Sequence, residues 1–389
     1  MNIVMFVREP LILRDGRPFG EHGTVRAGAL QWPMPSTLAG MIRSRIGLSR
    51  NPLFFQEPDA VNRIRTVHIE CIQPVCRIGD DDWRFVYPQP ADLLVCNGQN
   101  ETLSLHGFDY AVQGSNGVTL PWKNWLIPLP QTQEKPARPQ PAFWHESIYM
   151  KWLTAPNTMQ ETVASNELGW HLPHQDQRIH CCIDKDSGSA ADGQLWMSSG
   201  LCMQGYDTHN GIKQWGIAMR LGGYAENDTV IGPAHLGGDR RLAWIGNMNM
   251  DWPDCPDSLT NARYLRLVLT TPGSFGGWAP DWLLPQNAAN QTETPWVTVP
   301  GTAYQVRICS AFIPRWVPVS GWNYATSRPK AMRKLVPAGA VYVIEVEKPE
   351  TSQEIARHLW GHPLISSEID GYGICLVGRA DINTQQERR

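Results

Sequence analysis

The residues best suited to chemistry in this chain are arginines set among glycines. In "LGGDRRLAWIG" (236–246), Gly237, Gly238, Asp239, Arg240 and Arg241 share what reads as a tight hairpin. Its backbone N–H groups and two guanidiniums could grip a phosphate, or Asp239 and one arginine could pair structurally. Arginine is also concentrated toward both ends. Residues 1–50 hold seven arginines against Glu9, Asp15 and Glu21, and residues 301–344 hold Arg307, Arg315, Arg328, Lys330, Arg333 and Lys334 with no carboxylate. Of the 34 cationic residues, 26 are arginine, whose planar fork suits phosphate and whose face stacks on bases. A net charge of -3 would argue against a polyanionic ligand only if charge were evenly spread, and here it is not. Ordinary solvated surface is the competing reading for most of these side chains.

Other constellations offer less. "HLPHQDQRIHCC" places His171, His174, His180, Cys181 and Cys182 within twelve residues. Adjacent cysteines on a strand point to opposite faces, so a metal-ligand spacing is absent. Nine cysteines without a C-x-x-C pair read as reduced core residues, and no metal ligand or cofactor is assigned. "GYGICLVG" contains Gly371 and Gly373 in a G-x-G, but only 16 residues follow Gly373, too few for the helix and distal acid of a dinucleotide fingerprint. These glycines read instead as places where backbone passes close to another backbone, of protein or nucleic acid. No G-x-S-x-G elbow appears. Among 17 tryptophans, Trp32, Trp244, Trp278, Trp316 and Trp322 could stack bases, although most tryptophans serve as core anchors.

The elements that must position these groups are clearest toward the C-terminus. "RYLRLVLTTP" (263–272), "YQVRICSAF" (304–312), "AVYVIEVE" (340–347) and "YGICLVGR" (372–379) read as strands. A short helix is expected at 280–284, and a second in "ETSQEIARHLWGH", started by Thr351 or Ser352 with Glu354 in its first turn. The order is β-α-β-β-α-β, the ferredoxin-like arrangement. The N-terminal half starts the same way. "NIVMFVRE" is a strand, "PSTLAGMIRSRIG" a helix begun by Pro35 with Ser36 or Thr37, and 63–78 a long strand. The proline-rich 128–142 reads as a loop, 143–153 as the second helix, and 160–250 as β-rich hairpins inserted into or appended to the domain. The expected fold class is α+β, with an N-terminal domain over 1–255 and a C-terminal domain over 256–389. No window of eighteen apolar residues occurs, so no membrane segment is expected and a cytoplasmic protein is.

Seven motifs in order carry a resemblance: "RDGRPFG", "WPMPSTLAGMIRSRIG", "DQRIHCCIDKDSGSAADGQLW", "LGGDRRLA", "RLVLTTPGSF", "SGWNYATSRPKAMRKLVPAGAVYVIEVE" and "GYGICLVG". Together they resemble the RAMP subunit of the type III-B (Cmr) CRISPR effector complex that caps the foot of the complex and binds the 5′ repeat-derived tag of the crRNA. The resemblance implies two RRM-like, ferredoxin-type RAMP domains with inserted hairpins and loops. It implies no catalysis and no cofactor. Its implied partners are the crRNA, the large palm-domain, cyclase-type subunit and the backbone RAMP subunit, with target RNA met indirectly.

Carried residue by residue, the resemblance implies RNA contacts at Arg14, Arg17, Ser36, Thr37, Arg43, Arg178, Arg240, Arg241, Lys330 and Arg333, with Gly237, Gly238, Gly371 and Gly373 as close-approach glycines. Ser36 and Thr37 would sit where free helix N–H groups suit a phosphate. Phe19, Pro33, Pro35 and Gly40 would be scaffold. Two departures stand out. Asp239 occupies a position usually held by glutamate, and His180-Cys181 replace small residues near Arg178. An endoribonuclease using His68 or His171 as general base is the enzymatic alternative, although neither lies in a glycine-rich or basic motif. A purely structural bridge, its basic patches facing acidic partners, is the other.

Overall fold

The computed structural model describes the chain except residues 16–28, 100–101, 113–121, 157–161, 208–210, 286, 289–290, 324–327 and 383–389. It is an α+β arrangement made mostly of strands with few helices. Two antiparallel sheets carry it.

In the first, the central strands are β1 (Asn2–Phe6), β2 (His68–Ile78), β3 (Gly211–Gly222) and β4 (Leu242–Asn247), in spatial order β2-β3-β1-β4. Arg84–Pro88, Phe143–His145 and Gly169–Trp170 extend the sheet beyond β2, and Gly232–His235 extends it beyond β4. Buried β1 residues Ile3 and Met5 alternate with Val4, so both faces of the sheet are covered. Helix α1 (Pro35–Arg50) packs on one face. Pro35 starts it, Leu38, Ala39, Met41, Ile42 and Ile46 form its buried stripe, and Asn51, which precedes Pro52, ends it.

The second sheet contains β5 (Tyr264–Leu269), β6 (Gln305–Phe312), β7 (Val341–Val346) and β8 (Cys375–Arg379), in order β6-β7-β5-β8. The helix Ser352–Leu359 covers it with Ile355, Ala356 and Leu359. Thr351 is its N-cap position, but the Thr351 hydroxyl donates to Lys348 O, while the Ser352 hydroxyl serves Leu259 O and Ala262 N.

The expected strands of the second sheet fall where the sequence placed them; elsewhere Leu126–Pro130, partly inside the expected 128–142 loop, is a strand paired with Phe108–Val112, the first strand ends at Phe6, and three further adjustments are needed. The helix expected at 280–284 is one turn, in which Leu283 and Leu284 N–H groups reach Pro280 O, because Leu284 precedes Pro285 and cannot continue a helix. The strand expected from 63 begins at His68, since Ala60–Ile64 is helical and buries Ala60 and Ile64. The segment 143–153 divides into the strand Phe143–His145 and helix α2 (Glu146–Thr154).

Helix α2 belongs to the first half by sequence but packs on the second sheet. The Leu153 side chain and carbonyl crowd Gly378 of β8, where an added Cβ would lie 2.8–2.9 Å from them. Arg266 of β5 donates to Asp92 Oδ2 at 2.9 Å and to Trp152 O at 2.5 Å, and its guanidinium lies 4.0 Å from the Trp152 ring centroid. Tyr149, Trp152 and Leu153 are buried in one core with Leu265, Val268 and Val377. Burial of each such side chain contributes roughly 1.5–3 kcal/mol, so α2 joins the halves.

Candidate nucleic-acid interface

Several of the motifs that carry the resemblance, far apart in the sequence, meet where the chain enters and leaves residues 14–29. The chain leaves β1 and runs through Leu11–Leu13 to Arg14, and residues 16–28 lie outside the described residues. Leu11 exchanges backbone hydrogen bonds with Leu201, at the end of the strand Ala190–Leu201, at 2.7 and 2.9 Å. On its other side Ile12 O accepts from Gly238 N–H at 2.8 Å. Arg14 bridges Ala29, and Leu30 N–H donates to Leu13 O at 2.8 Å. Arg17 and Phe19 lie outside the described residues. Arg14 is exposed.

Gly237 is required here by geometry. Its φ is +77° and an added Cβ would lie 2.6 Å from Ile12 O. Asp239 and Arg240 also adopt positive φ, 54° and 51°, in the turn that follows. The turn presents the Arg240 side chain to solvent while its carbonyl faces His235 Nδ1 at 2.9 Å. Arg241 turns the other way, toward Glu9 at 3.3 Å, so its partner is Glu9 rather than Asp239.

The C-terminal motifs reach the same place from across the molecule. Ser36 Oγ lies 2.8 Å from Tyr372 Oη. Burial raises the Tyr372 hydroxyl above its ordinary pKa, partly offset by this bond. The start of α1 therefore has a protein partner. Arg43, two turns on, donates to Asp370 Oδ1 at 2.5 Å, Val67 O at 2.8 Å and Ile369 O at 3.2 Å. Ser36 and Arg43 thus hold the 369–372 turn against α1. Thr37 is half-buried, with its N–H on Met34 O.

Gly371 and Gly373 pass close to protein. At φ +91°, a Cβ on Gly371 would meet Ile72 Cδ1 at 2.7 Å. Gly373 donates to Pro272 O and faces Phe275. Above this turn stands a small hairpin of Val317–Val319 paired with Arg333–Leu335. Val319, Leu335 and Tyr372 bury against Met34, with Leu30 packed beside them. Lys330, Arg333 and Lys334 of this segment are exposed, with Arg333 and Lys334 on opposite faces of their strand. Arg333 lies 5.2 Å over the Tyr372 ring and donates to Ser274 Oγ at 3.2 Å, and Lys334 lies 5.0 Å over exposed Trp316. Trp322 side-chain placement lies outside the described residues.

Arg178 stands apart from this ridge. It is on the long exposed hairpin of Gln175–Ile183 and Ala190–Leu201, paired with Asp176 at 2.7 Å. His180 on that hairpin is a cross-strand residue, bonded to Ser198 Oγ at 2.7 Å and stacked on Trp196. Cys181 and Cys182 are exposed. Of the two histidines considered as bases, His68 Nδ1 faces Thr66 O and its Nε2 lies 3.7 Å from Glu70, while His171 Nδ1 faces Gln140 O.

Sequence reasoning missed two things. Tyr372 was passed over because its value lies in Ser36, a residue 336 positions away. Cys96, His106 and Glu134 were passed over because no ligand spacing joins them, yet their ligand atoms lie within 4.8 Å of one another.

Comparison with known proteins decides the family. Residues 4–380 match the family described as CRISPR-associated protein (Cas_Cmr3). The chain belongs to the Cmr3 family. Cmr3-family chains are subunits of type III CRISPR effector complexes, and this chain is one by membership. No curated protein matches it. Among solved structures, a chain of the type III-B Cmr-beta complex bound to cognate target RNA and AMPPnP is similar at TM-score 0.44 and 14% identity, covering 88% of this chain and 86% of that one. A chain of the Csm3–Csm4 subcomplex of the type III-A interference complex is similar at TM-score 0.35 and 9% identity, covering 98% and 100%. Among the described residues, no helix of this Cmr3-family chain is long and apolar enough to cross a membrane.

Proposed function

We propose that this chain is a non-catalytic RNA-anchoring subunit of a type III-B effector complex. It seats the 5′ repeat-derived tag of the crRNA where the chain enters and leaves residues 14–29 and bridges the large palm-domain subunit to the backbone RAMP subunits. Target RNA is met indirectly, through the guide, and the assembly works in the cytoplasm. In this reading the orders β2-β3-β1-β4 and β6-β7-β5-β8 are the sheets of two ferredoxin-like RAMP units, split near residue 255, with 79–210 inserted in the first.

One observation carries the proposal. Arg240 follows the turn whose Gly238 N–H bonds Ile12 O, and the segment with exposed Lys330, Arg333 and Lys334 packs through Leu335 beside Leu30, so both border the chain where it enters and leaves residues 14–29, with exposed Trp316 under Lys334. Cations interleaved with an aromatic face are what a single-stranded RNA needs: phosphate neutralisation for register and stacking for splayed bases. Arg14, Arg17, Thr37, Arg240, Lys330 and Arg333 are the proposed contacts, Arg178 reaches RNA or a partner from the long hairpin, and Arg241, Ser36 and Arg43 brace the frame.

The test is RNA retention in the assembled complex. The Arg240→Glu/Arg333→Glu variant should assemble with its partner subunits but copurify with less crRNA. Unchanged crRNA occupancy would favour a purely structural bridge.

A further inference from the structure

A cluster away from the basic ridge has the chemistry of a metal site. The strand Leu94–Asn97 pairs antiparallel with Thr102–His106, setting Cys96 opposite Ser104 and Leu94 opposite His106. Alternation then puts Cys96 and His106 on one face as diagonal neighbours. The 134–137 segment lies along the other edge, with a bridge of Pro136 to Cys96 and Ala137 N–H on Val95 O at 2.8 Å. It brings Glu134 over the same face, so that a thiol, an imidazole and a carboxylate converge within 4.8 Å.

We propose that Cys96, His106 and Glu134 bind one zinc ion as a structural clip, with water as the fourth ligand. The donor set favours a borderline-soft ion: thiolate and imidazole select zinc over magnesium or calcium. Charge agrees. A thiolate and a carboxylate cancel the two positive charges, which lowers the cost of holding the ion beside fully buried Cys96. Ser104 Oγ lies 3.1 Å from His106 Nε2, a contact that orients the ring. Ligand atoms around zinc stand roughly 3.5 Å apart, and exposed Glu134 on its loop closes the remaining distance.

The clip would tie the 131–137 loop to the 94–106 hairpin. The neighbouring Phe108–Val112 strand sets Phe108 against Phe312 of β6, with ring centroids 4.9 Å apart, so the clip stiffens the insertion that covers the second sheet. It does not depend on RNA binding, and either reading can fail alone.

The experiment is a cobalt(II) titration of the chelator-treated full chain, read by thiolate-to-cobalt charge transfer and tetrahedral d–d absorption. The expected result is a 1:1 complex displaced by zinc, absent in His106→Gln and stripped by chelator more readily in Glu134→Gln. Both substitutions are at incompletely buried positions, and a cooperative melt verifies folding. The Cys181→Ser/Cys182→Ser variant should bind as wild type does. No thiolate band in wild type, its persistence in His106→Gln, or its loss in the Cys181→Ser/Cys182→Ser variant would each overturn the site.

Discussion

Ser36 Oγ and Tyr372 Oη lie 2.8 Å apart, joining the first turn of α1 to a turn 336 residues later. The contact makes the glycines beside Tyr372 structural. It also places the basic hairpin 317–335 next to α1.

Gly371→Ala should destabilise the protein by about 1–3 kcal/mol, because a side chain at φ +91° is strained and its Cβ would press on Ile72. Gly361→Ala, at φ +71° with open space around the new Cβ, should cost only the backbone strain of about 1–2 kcal/mol. Denaturant midpoints compare the two. Equal losses would show that the approach to Ile72 carries no energy.

Asp92→Ala should be among the most damaging single changes, about 3–5 kcal/mol, since it leaves Arg266 charged at 3% side-chain exposure without its carboxylate. Because Arg266 also holds the C-terminal carbonyls of α2, loss of tertiary near-UV signal should accompany the drop. A stable variant with an intact near-UV spectrum would contradict the role of this pair in joining the halves.

Arg50 grips Asp228 through two hydrogen bonds of 2.6 and 2.7 Å, and hydrogen bonding to Arg50 holds the carboxyl below its ordinary pKa. A depressed carboxyl stabilises the fold above its unfolded pKa, about 3.9, and that contribution is lost as pH falls through the lower folded value. The Tm difference between wild type and Asp228→Asn should therefore be full at pH 7 and shrink below about pH 4. A difference independent of pH would remove the ion pair from the account.

Lys330→Glu and Arg333→Glu should each weaken RNA binding across sequences and reduce the slope of log affinity against log salt by about 1, as expected for phosphate contacts. Affinity measured at several salt concentrations separates this from unfolding, which would abolish binding without a salt signature.

Strands of the second sheet were legible because each is a short β-branched run between turns, and α1 because Pro35 and its apolar stripe mark it locally. The destination of α2 was not legible. Its Tyr149, Trp152 and Leu153 announce a buried face, but nothing nearby in sequence says that face meets β8. The same holds for Arg43, whose charge reads as phosphate-seeking until Asp370 appears beside it. The basic motifs themselves were visible. The meeting of two of them beside Ile12 and Met34 was not, because it rests on contacts such as Gly238 with Ile12 and Leu335 with Met34.

The most direct test is fluorescence anisotropy with this chain and its neighbouring backbone subunit, comparing RNA that begins with the repeat-derived tag against the same RNA with the tag scrambled, across a salt series. The account predicts tighter binding to the true tag, weakening steeply with salt and lost in Arg17→Glu. Equal, weak binding to both RNAs would contradict it.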